Sequence, residues 1–305
     1  MLTYLILVFG LAALFFGGDM LVKGASGLAL RFGLSPMVIG LTVVGFGTSA
    51  PELLVSLNAA LGGQSGIAIG NVVGSNIANT LLILGLAAVL APIVVNFKTL
   101  RRDLGWMIAA TLALPLVLWS GEIGRIEGLV LVAGLAVFLV TSLQSGGHIP
   151  DEITPAGSLG RGVVFTLGGL VTLMVGAHYL VQSATIIARD FGVSEAMIGL
   201  SIVAVGTSLP ELATTVTAVI RGQRDIAIGN VIGSNIFNVL GILGLTALVT
   251  PIPVAARFVA VDMPFLLGLT AITLGLLWLT GRLGRITGTL MLIVYATYLL
   301  STANL

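Results

Sequence analysis

The chain consists of long apolar runs that are separated by short polar segments. Each run is close to the length of about 20 residues that an α-helix needs to cross a bilayer. Read with that criterion, the pattern predicts ten spans. They cover residues 2–22, 34–61, 66–92, 103–120, 124–143, 162–182, 196–220, 225–250, 260–279 and 284–303. The first run has no basic segment before it and no small-residue cleavage site, so it is expected to be a transmembrane helix and not a signal peptide.

The longest polar connection runs from Ser145 to Arg161, at the middle of the chain. It is rich in glycine, proline and acidic residues, a composition typical of a flexible linker. The sequence therefore predicts an N-terminal five-helix unit over residues 1–144, a linker over 145–161 and a C-terminal five-helix unit over 162–305.

The two halves are copies of each other at an offset of 159 positions. The matching segments are Gly47-Thr48-Ser49 with Gly206-Thr207-Ser208, Pro51-Glu52-Leu53 with Pro210-Glu211-Leu212, Gly70-Asn71 with Gly229-Asn230, and Gly74-Ser75-Asn76-Ile77 with Gly233-Ser234-Asn235-Ile236. Asn79 recurs as Asn238, and Asp103 as Asp262. Five spans per half is an odd number, so the second copy enters the membrane from the opposite side. This predicts inverted repeats, which many secondary transporters have.

The distribution of basic residues predicts the orientation, because Lys and Arg collect in cytoplasmic loops. With an external N-terminus, the cytoplasmic loops hold Lys23, Arg31, Lys98, Arg101, Arg102, Arg161, Arg221, Arg224, Arg282 and Arg285, and the external side only Arg125, Arg189 and Arg257. We therefore expect a multi-pass protein of the plasma (inner) membrane with a cytoplasmic linker and both termini outside.

The composition agrees with a membrane protein and excludes other classes. Of the 305 residues, 57% are hydrophobic and 8% charged, against roughly 25% charged residues in soluble domains. The net charge of +1 excludes a strongly basic nucleic-acid binder. Because cysteine is absent, disulfides, thiolate metal sites and cysteine nucleophiles are excluded too.

Glu52 and Glu211 are acidic residues inside otherwise apolar spans. A carboxylate at that depth is costly unless it is paired or solvated. No Lys or Arg lies at midplane depth in the predicted spans, which leaves a bound cation as the compensation. The alternative is a pair of protonated carboxyls that bond to neighbours or to each other.

A proline precedes each of these glutamates inside its span. Because proline removes a backbone hydrogen bond, it predicts a kink that frees carbonyl groups for a ligand. Those carbonyls are expected on Gly45, Gly47, Thr48, Ala204, Gly206 and Thr207. Carbonyl, hydroxyl and carboxylate oxygens are ligands for Ca²⁺ and Na⁺. A kink that serves packing only is the alternative.

The third span of each half begins with glycines at small-xxx-small spacing, which lets helices approach closely. The polar residues among them, Asn71, Ser75, Asn79 and their copies, supply oxygens at helical spacing. Asn76 and Asn235 either join this set or only link helices by hydrogen bonds.

The paired motifs G-T-S-x-P-E and G-N-x-x-G-S-N resemble the alpha repeats of the cation/calcium exchanger superfamily, specifically those of prokaryotic sodium/calcium exchangers. The resemblance covers nearly the whole chain. It implies an all-α integral membrane protein of ten transmembrane helices in two inverted five-helix repeats. The implied function is antiport of Na⁺ and Ca²⁺ by alternating access, with no cofactor beyond the transported ions and the bilayer as surroundings.

The resemblance also implies which residues bind the ions. The central calcium site is expected to use Glu52 and Glu211 with the backbone oxygens of Thr48 and Thr207. Flanking sodium sites are expected to pair Ser75 with the carbonyl of Gly45, and Ser234 with that of Ala204. Asn79 and Asn238 match the remaining polar positions around the centre.

Some members of the superfamily carry Asp where this chain has Asn238, so the formal charge of this site is at most −2. One Ca²⁺ neutralises that charge, whereas three Na⁺ leave it positive, so exchange of one for three would move net charge. The missing acid also argues against potassium co-transport. Proton coupling stays open because buried glutamates titrate.

Two other classes fit less well. An intramembrane protease needs a serine dyad or paired aspartates at depth, but His148 lies in the linker and His178 has no evident serine partner. A cation channel could use the same oxygens, but channels usually gather several subunits around a pore, whereas this duplication makes one internal site. The sequence thus predicts a transporter and not an enzyme.

Overall fold

The structure, a computed structural model, describes residues 1–95, 97–144, 158–192 and 204–303. Its first-half helices are α1 (Leu2–Arg31), α2 (Pro36–Thr48), α3 (Ala50–Leu61), α4 (Ser65–Leu90), α5 (Phe97–Leu118) and α6 (Arg125–Gln144). The second half has α7 (Leu159–Asp190), α8 (Ala204–Gly206), α9 (Leu209–Ile220), α10 (Arg224–Val249), α11 (Phe258–Thr280) and α12 (Arg285–Ala303). Most of the predicted linker, and the start of the predicted span 196–220, lie outside the described residues.

Several of these helices are suited to a bilayer. In the described part of the chain, 6 helices are long and apolar enough to cross a membrane, and α2 with α3 makes a seventh if the two count as one broken span. α9 and α12 are apolar but shorter. The all-α membrane fold is therefore confirmed, and the number of ten spans stays a prediction.

Helices α1 and α7 are longer than predicted, at 30 and 32 residues. The predicted end of α1 at residue 22 reflects Lys23, but the Lys23 ammonium is 2.8 Å from the Asp19 carboxylate, one turn earlier. This pairing supports the helix through the charged turn. Each helix is followed by a glycine with positive φ, Gly33 at 65° and Gly192 at 77°, as is common after helix ends.

α1 and α7 pack against each other through glycines. A Cβ on Gly10 would lie 2.8 Å from the backbone nitrogen of Leu180, and one on Gly169 would lie 2.5 Å from that of Leu21. Gly24 is equally close to the backbone of Thr166. The contacts run in opposite order along the two helices, so the pair is antiparallel and its backbones touch over much of its length.

Two short strand pairs join the halves. β1 (Ile93–Val94) pairs with β4 (Arg282–Leu283), and β2 (Glu122–Ile123) pairs with β3 (Ile252–Pro253), both antiparallel. In each pair one strand comes from each half. The apolar residues at these junctions, Ile93, Ile123, Ile252 and Leu283, are buried.

Several of the helices contain π-helical turns, at Gly40–Val44 in α2, Asn79–Ile83 in α4, Phe237–Leu243 in α10 and Phe258–Asp262 in α11. The sequence pattern did not predict them. A π turn changes the direction in which the following side chains point and often marks a functional site. The turns in α4 and α10 include Asn79 and Asn238, which are equivalent in the two repeats.

α2 of the first half lies directly against α10 of the second. A Cβ on Gly233 would meet the carbonyl oxygen of Leu41 at 2.3 Å, and one on Gly229 that of Met37 at 2.7 Å. The predicted close approach at these glycines is confirmed, and it places Gly45 beside Ser234.

Candidate functional site

Glu52 and Glu211 lie in the first turns of α3 and α9, and both are buried. The prolines before them begin these helices and do not kink a continuous one, because α2 ends at Thr48 and α3 starts at Ala50 with a bend of 43°. The predicted kink is confirmed as the 43° bend beside Pro51, but it lies at a break between two helices and not within one continuous helix. Proline suits the first turn of a helix, where its missing N–H needs no partner.

Each glutamate is held by a serine from the other half. The Ser49 hydroxyl donates to Oε1 of Glu211 at 2.9 Å, and the Ser208 hydroxyl donates to Oε1 of Glu52 at 3.2 Å. Ser49 and Ser208 were quoted in the sequence motif but were not predicted as site residues. Their recurrence beside both prolines was the signal that could have identified them.

Two asparagines connect the helix breaks in a reciprocal way. Nδ2 of Asn71 donates to the backbone carbonyl of Glu52 at 3.0 Å, while its Oδ1 accepts from the Thr207 hydroxyl at 3.4 Å. Nδ2 of Asn230 donates to the carbonyl of Glu211 at 3.3 Å, and its Oδ1 accepts from the Thr48 hydroxyl at 3.1 Å. Each asparagine therefore fixes the glutamate of its own half and the threonine of the other.

Four further asparagines form a network between α4 and α10. Asn79 Nδ2 donates to Oδ1 of Asn235 at 3.0 Å, and Asn238 Nδ2 donates to Oδ1 of Asn76 at 2.9 Å. Asn76 Nδ2 donates to the carbonyl of Asn235 at 3.2 Å. Asn76 and Asn235 thus link the helices as predicted. They also orient Asn79 and Asn238, whose side-chain carbonyl oxygens keep no hydrogen-bond partner among the described residues.

Four buried oxygens at this centre have no hydrogen-bond partner among the described residues. They are Oε2 of Glu52, Oε2 of Glu211, Oδ1 of Asn79 and Oδ1 of Asn238. Buried polar atoms in proteins are nearly always bonded, so unpartnered ones need an explanation. These four come from equivalent positions of the two repeats, and all are hard oxygen ligands. Their chemistry suits Na⁺ or Ca²⁺.

The flanking residues are arranged differently from the prediction. Ser75 and Ser234 are both buried, but the Ser234 hydroxyl donates to the carbonyl of Gly45 at 3.3 Å. The predicted pairing of Ser234 with Ala204 and of Ser75 with Gly45 is therefore wrong, because α10 of the second half packs on α2. Ala204 begins α8.

The carbonyl of Gly45 also accepts from the backbone nitrogen of Ser49 at 3.2 Å. Thr48 and Thr207 reach the centre with their hydroxyls, which donate to Oδ1 of Asn230 and Oδ1 of Asn71, respectively. Over the described part of the chain, no group of three or more His, Cys, Asp or Glu side chains could hold a metal ion.

The asymmetric pair Asp19 and His178, to which the sequence assigns no role, lies apart from this centre. Asp19 pairs with Lys23 and with Arg221, the residue directly after α9. His178 is exposed and contacts the ring of Tyr179, with 5.3 Å between centroids. His148 lies outside the described residues.

Comparisons with known proteins agree with this geometry. The family described as sodium/calcium exchanger protein matches residues 2–144 and 161–303. The sodium/calcium exchanger MaX1 of Methanosarcina acetivorans is 33% identical, with 97% of each chain covered. The inner membrane protein YrbG of Escherichia coli is 40% identical over 82% of this chain and 81% of its own. A solved structure of the sodium-calcium exchanger NCX_Mj aligns with a TM-score of 0.86 at 33% identity over 99% of both chains.

Proposed function

The chain belongs to the sodium/calcium exchanger protein family, and we propose that it exchanges Na⁺ for Ca²⁺ across the membrane by alternating access. The observation that carries this proposal is the set of four unpartnered oxygens between the repeats, on Glu52, Glu211, Asn79 and Asn238. A cation is the partner that such a set lacks. Relatives that are named sodium/calcium exchangers support Na⁺ and Ca²⁺ as the ions.

The ion site proposed here contains the two glutamates at its centre, with Asn79 and Asn238 beside them. The backbone oxygens of Thr48 and Thr207 complete the calcium site. The hydroxyls of Ser75 and Ser234 and the carbonyls of Gly45 and Ala204 serve the flanking sodium ions. Ser49 and Ser208 hold the carboxylates in place through one oxygen each. The other carboxylate oxygen is then free to coordinate the ion.

The proposed architecture has ten spans in two inverted units, residues 1–144 and 162–305, joined by a cytoplasmic linker over 145–161. The strand pairs support the inversion. β1 and β3 are equivalent in the repeats, yet β1 pairs with β4 and β3 pairs with β2. Because the 22-residue helix α5 separates β1 from β2, equivalent strands lie at opposite ends of the bundle. Both termini are then external, and the name of YrbG supports the inner membrane.

Alternating access is proposed to move α1 and α7 as one unit across the helices that carry the site. Their glycine-lined contact supports joint movement, because backbones in direct contact do not separate easily. Gly47 faces the side chain of Leu170 in α7, where a Cβ would be 2.6 Å from Cδ1. The moving pair therefore lies next to the helix break that bears Thr48.

Exchange is proposed to be electrogenic and independent of K⁺. The two carboxylates give the site a charge of −2, which one Ca²⁺ balances and three Na⁺ exceed by one. Asn238 supplies no third charge, and its Nδ2 is already committed to Asn76. A site with neutral amides at both equivalent positions has no extra acid for K⁺.

The test is ⁴⁵Ca²⁺ uptake into proteoliposomes that are loaded with Na⁺, with K⁺, or with a pH step. Wild type is compared with Glu52→Gln, Glu211→Gln and the exposed control Glu122→Gln. We expect uptake driven by internal Na⁺ alone, reduced more than about 100-fold in both site variants because a buried charge and its ion contact are lost. The control is expected to match wild type.

The same assay separates the alternative of proton/calcium exchange. Uptake that follows the pH step without Na⁺ would replace the proposal by a proton antiporter at the same site. Full Na⁺-driven uptake in both glutamine variants would contradict the proposed site. Electrogenic exchange predicts that the rate of Ca²⁺ uptake changes when the membrane voltage is set to different values with valinomycin and K⁺. An unchanged rate would contradict electrogenic exchange.

A further inference from the structure

A cleft of about 490 Å³ lies away from the ion site, where the end of α1, the start of α7 and the end of α9 meet. Lys23, Arg161 and Arg221 line it, together with Gln223, Phe165 and small residues of α1. This end of the bundle is the one that the orientation proposed above places in the cytoplasm.

The cleft has more positive than negative charge. Asp19 is the acid beside it, and its carboxylate contacts both the Lys23 ammonium, at 2.8 Å, and the Arg221 guanidinium. Arg161 has no acidic partner among the described residues, and its guanidinium lies over the ring of Phe165 at 5.3 Å from the centroid. Three cations against one carboxylate leave a net charge of +2 on the lining.

These cations are not a by-product of the repeat. At the offset of 159 positions, Lys23 corresponds to Gln182, Arg221 to Gly62 and Arg161 to Leu2. The opposite end of the bundle therefore lacks the equivalent charges. The cleft is a feature of one membrane face only.

We propose that this cleft binds the phosphate of an anionic phospholipid headgroup. Arg and Lys are the residues that bind phosphate oxygens, and Arg161 presents a planar donor fork with no competing acid in the described structure. Basic pockets between transmembrane helices are known to take such headgroups. Val163, Val164 and Leu167 of α7 are exposed next to Arg161 and offer an apolar surface to the acyl chains. This surface distinguishes a lipid from free phosphate, and the proposal is independent of the transported ion.

The experiment measures phosphatidylglycerol bound to the purified full-length protein in neutral detergent, by native mass spectrometry. Phosphatidylcholine with the same chains is the uncharged comparison. Arg161→Gln and the double variant Lys23→Gln/Arg221→Gln are compared with Arg101→Gln, which removes an exposed cation of the same predicted membrane face outside the cleft. We expect about fivefold weaker binding of phosphatidylglycerol for each cleft cation removed, and no change for Arg101→Gln.

A variant of opposite sign guards against misfolding as the explanation. Asp19→Asn removes the one acid and raises the net charge of the lining, so phosphatidylglycerol is expected to bind about fivefold more tightly. Equal loss in Arg101→Gln and the cleft variants, or no gain in Asp19→Asn, would overturn the proposal. The proposal would also fail if inorganic phosphate at the same concentration displaced the lipid. That result would mean that the rest of the lipid adds nothing to the affinity of its phosphate group.

Discussion

The centre of the molecule and the pair α1 and α7 are built from the same duplication, but they use it differently. At the centre the polar contacts of the glutamates recur in both halves, such as Ser49 to Glu211 at 2.9 Å and Ser208 to Glu52 at 3.2 Å. In α1 and α7 the glycine contacts recur, but the charged residue Asp19 corresponds to the exposed His178. Backbone packing is shared by both regions, whereas polar chemistry is shared only at the centre.

The difference follows from what each region faces. In the proposed exchange an ion that enters from either side meets equivalent oxygens, which accounts for the same oxygens and the same orienting residues in both copies. The ends of α1 and α7 lie at two different membrane faces, and nothing requires equal side chains there. The experiments below test this contrast.

The largest effect is expected at Asn230, in the centre. Asn230→Ala removes the bonds of Asn230 to the Thr215 hydroxyl, the Thr48 hydroxyl and the carbonyl of Glu211 inside a buried site, although the Thr48 hydroxyl keeps its bond to the carbonyl of Val44. Each unsatisfied buried group costs about 1–3 kcal/mol, so Na⁺-driven Ca²⁺ uptake is expected to fall about 100-fold. In Asn71→Ala the uptake is expected to fall only about tenfold. Asn71 is partly buried, so water can replace its hydrogen bonds.

The control for the asparagines is Asn58→Ala, an exposed asparagine on α3 whose variant is expected to keep wild-type uptake. Wild-type rates in both Asn71→Ala and Asn230→Ala would mean that these residues do not position the site. A larger loss at Asn71 than at Asn230 would contradict the argument from burial.

A smaller effect is expected at the two serines. Ser49→Ala and Ser208→Ala each remove one hydrogen bond to a carboxylate, which is worth about 1.5–3 kcal/mol. Because the bound ion takes over part of this stabilisation, we expect about tenfold weaker Ca²⁺ affinity in each, measured by the Ca²⁺ dependence of uptake.

The symmetry of the centre requires that the two serine variants agree within about threefold. The exposed Ser301→Ala is the control and is expected to leave the affinity unchanged. A loss confined to one serine would show that the two halves of the site have separate roles despite their equal contacts.

Next in size is the packing of α1 on α7. In Gly169→Ala the new Cβ would lie 2.5 Å from the backbone nitrogen of Leu21, which cannot move without shifting α1. Overpacking of this kind costs about 1–3 kcal/mol, so the unfolding temperature in detergent is expected to fall by several degrees.

Gly168→Ala is a matched control on the same helix. Its Cβ would meet only the flexible end of Met20, at 3.1 Å from Cε, and alanine favours a helix over glycine by about 1 kcal/mol. We expect an unchanged or slightly higher unfolding temperature. Equal destabilisation by both variants would mean that the glycine contact is not tight.

The smallest effect is expected where the repeats diverge. Lys23 and Arg221, the partners of Asp19, are 50% and 39% exposed, and ion pairs with such partners contribute about 0–1 kcal/mol. Asp19→Asn is therefore expected to keep Na⁺-driven uptake within about twofold of wild type in neutral lipid. His178→Asn is expected to do the same. A strong transport defect in either would place polar chemistry of the moving helices in the exchange step and would end the contrast drawn above.

The sequence predicted the pairs of residues that are equivalent in the two repeats. It missed the contacts between residues that are not equivalent. The offset of 159 positions identified Glu52 with Glu211 and Asn79 with Asn238, and their hydrophobic surroundings predicted burial. It could not tell that Ser234 lies on Gly45, because a repeat gives pairs of like residues and not the packing of α2 on α10. The π turns were missed because these spans are apolar on nearly all sides, so the shift in helical phase that a π turn causes leaves no mark in the hydrophobic pattern. Proline predicted a kink where the helix ends.

The strand pairs have a consequence for biogenesis. β1 and β2 leave the ribosome with the first half, but their partners β4 and β3 arrive only with the last loops of the second. A nascent or truncated first half therefore exposes strand edges at both membrane faces, which stay unpaired until synthesis is nearly complete. The two strand pairs therefore form late in synthesis, and their formation marks an assembled chain.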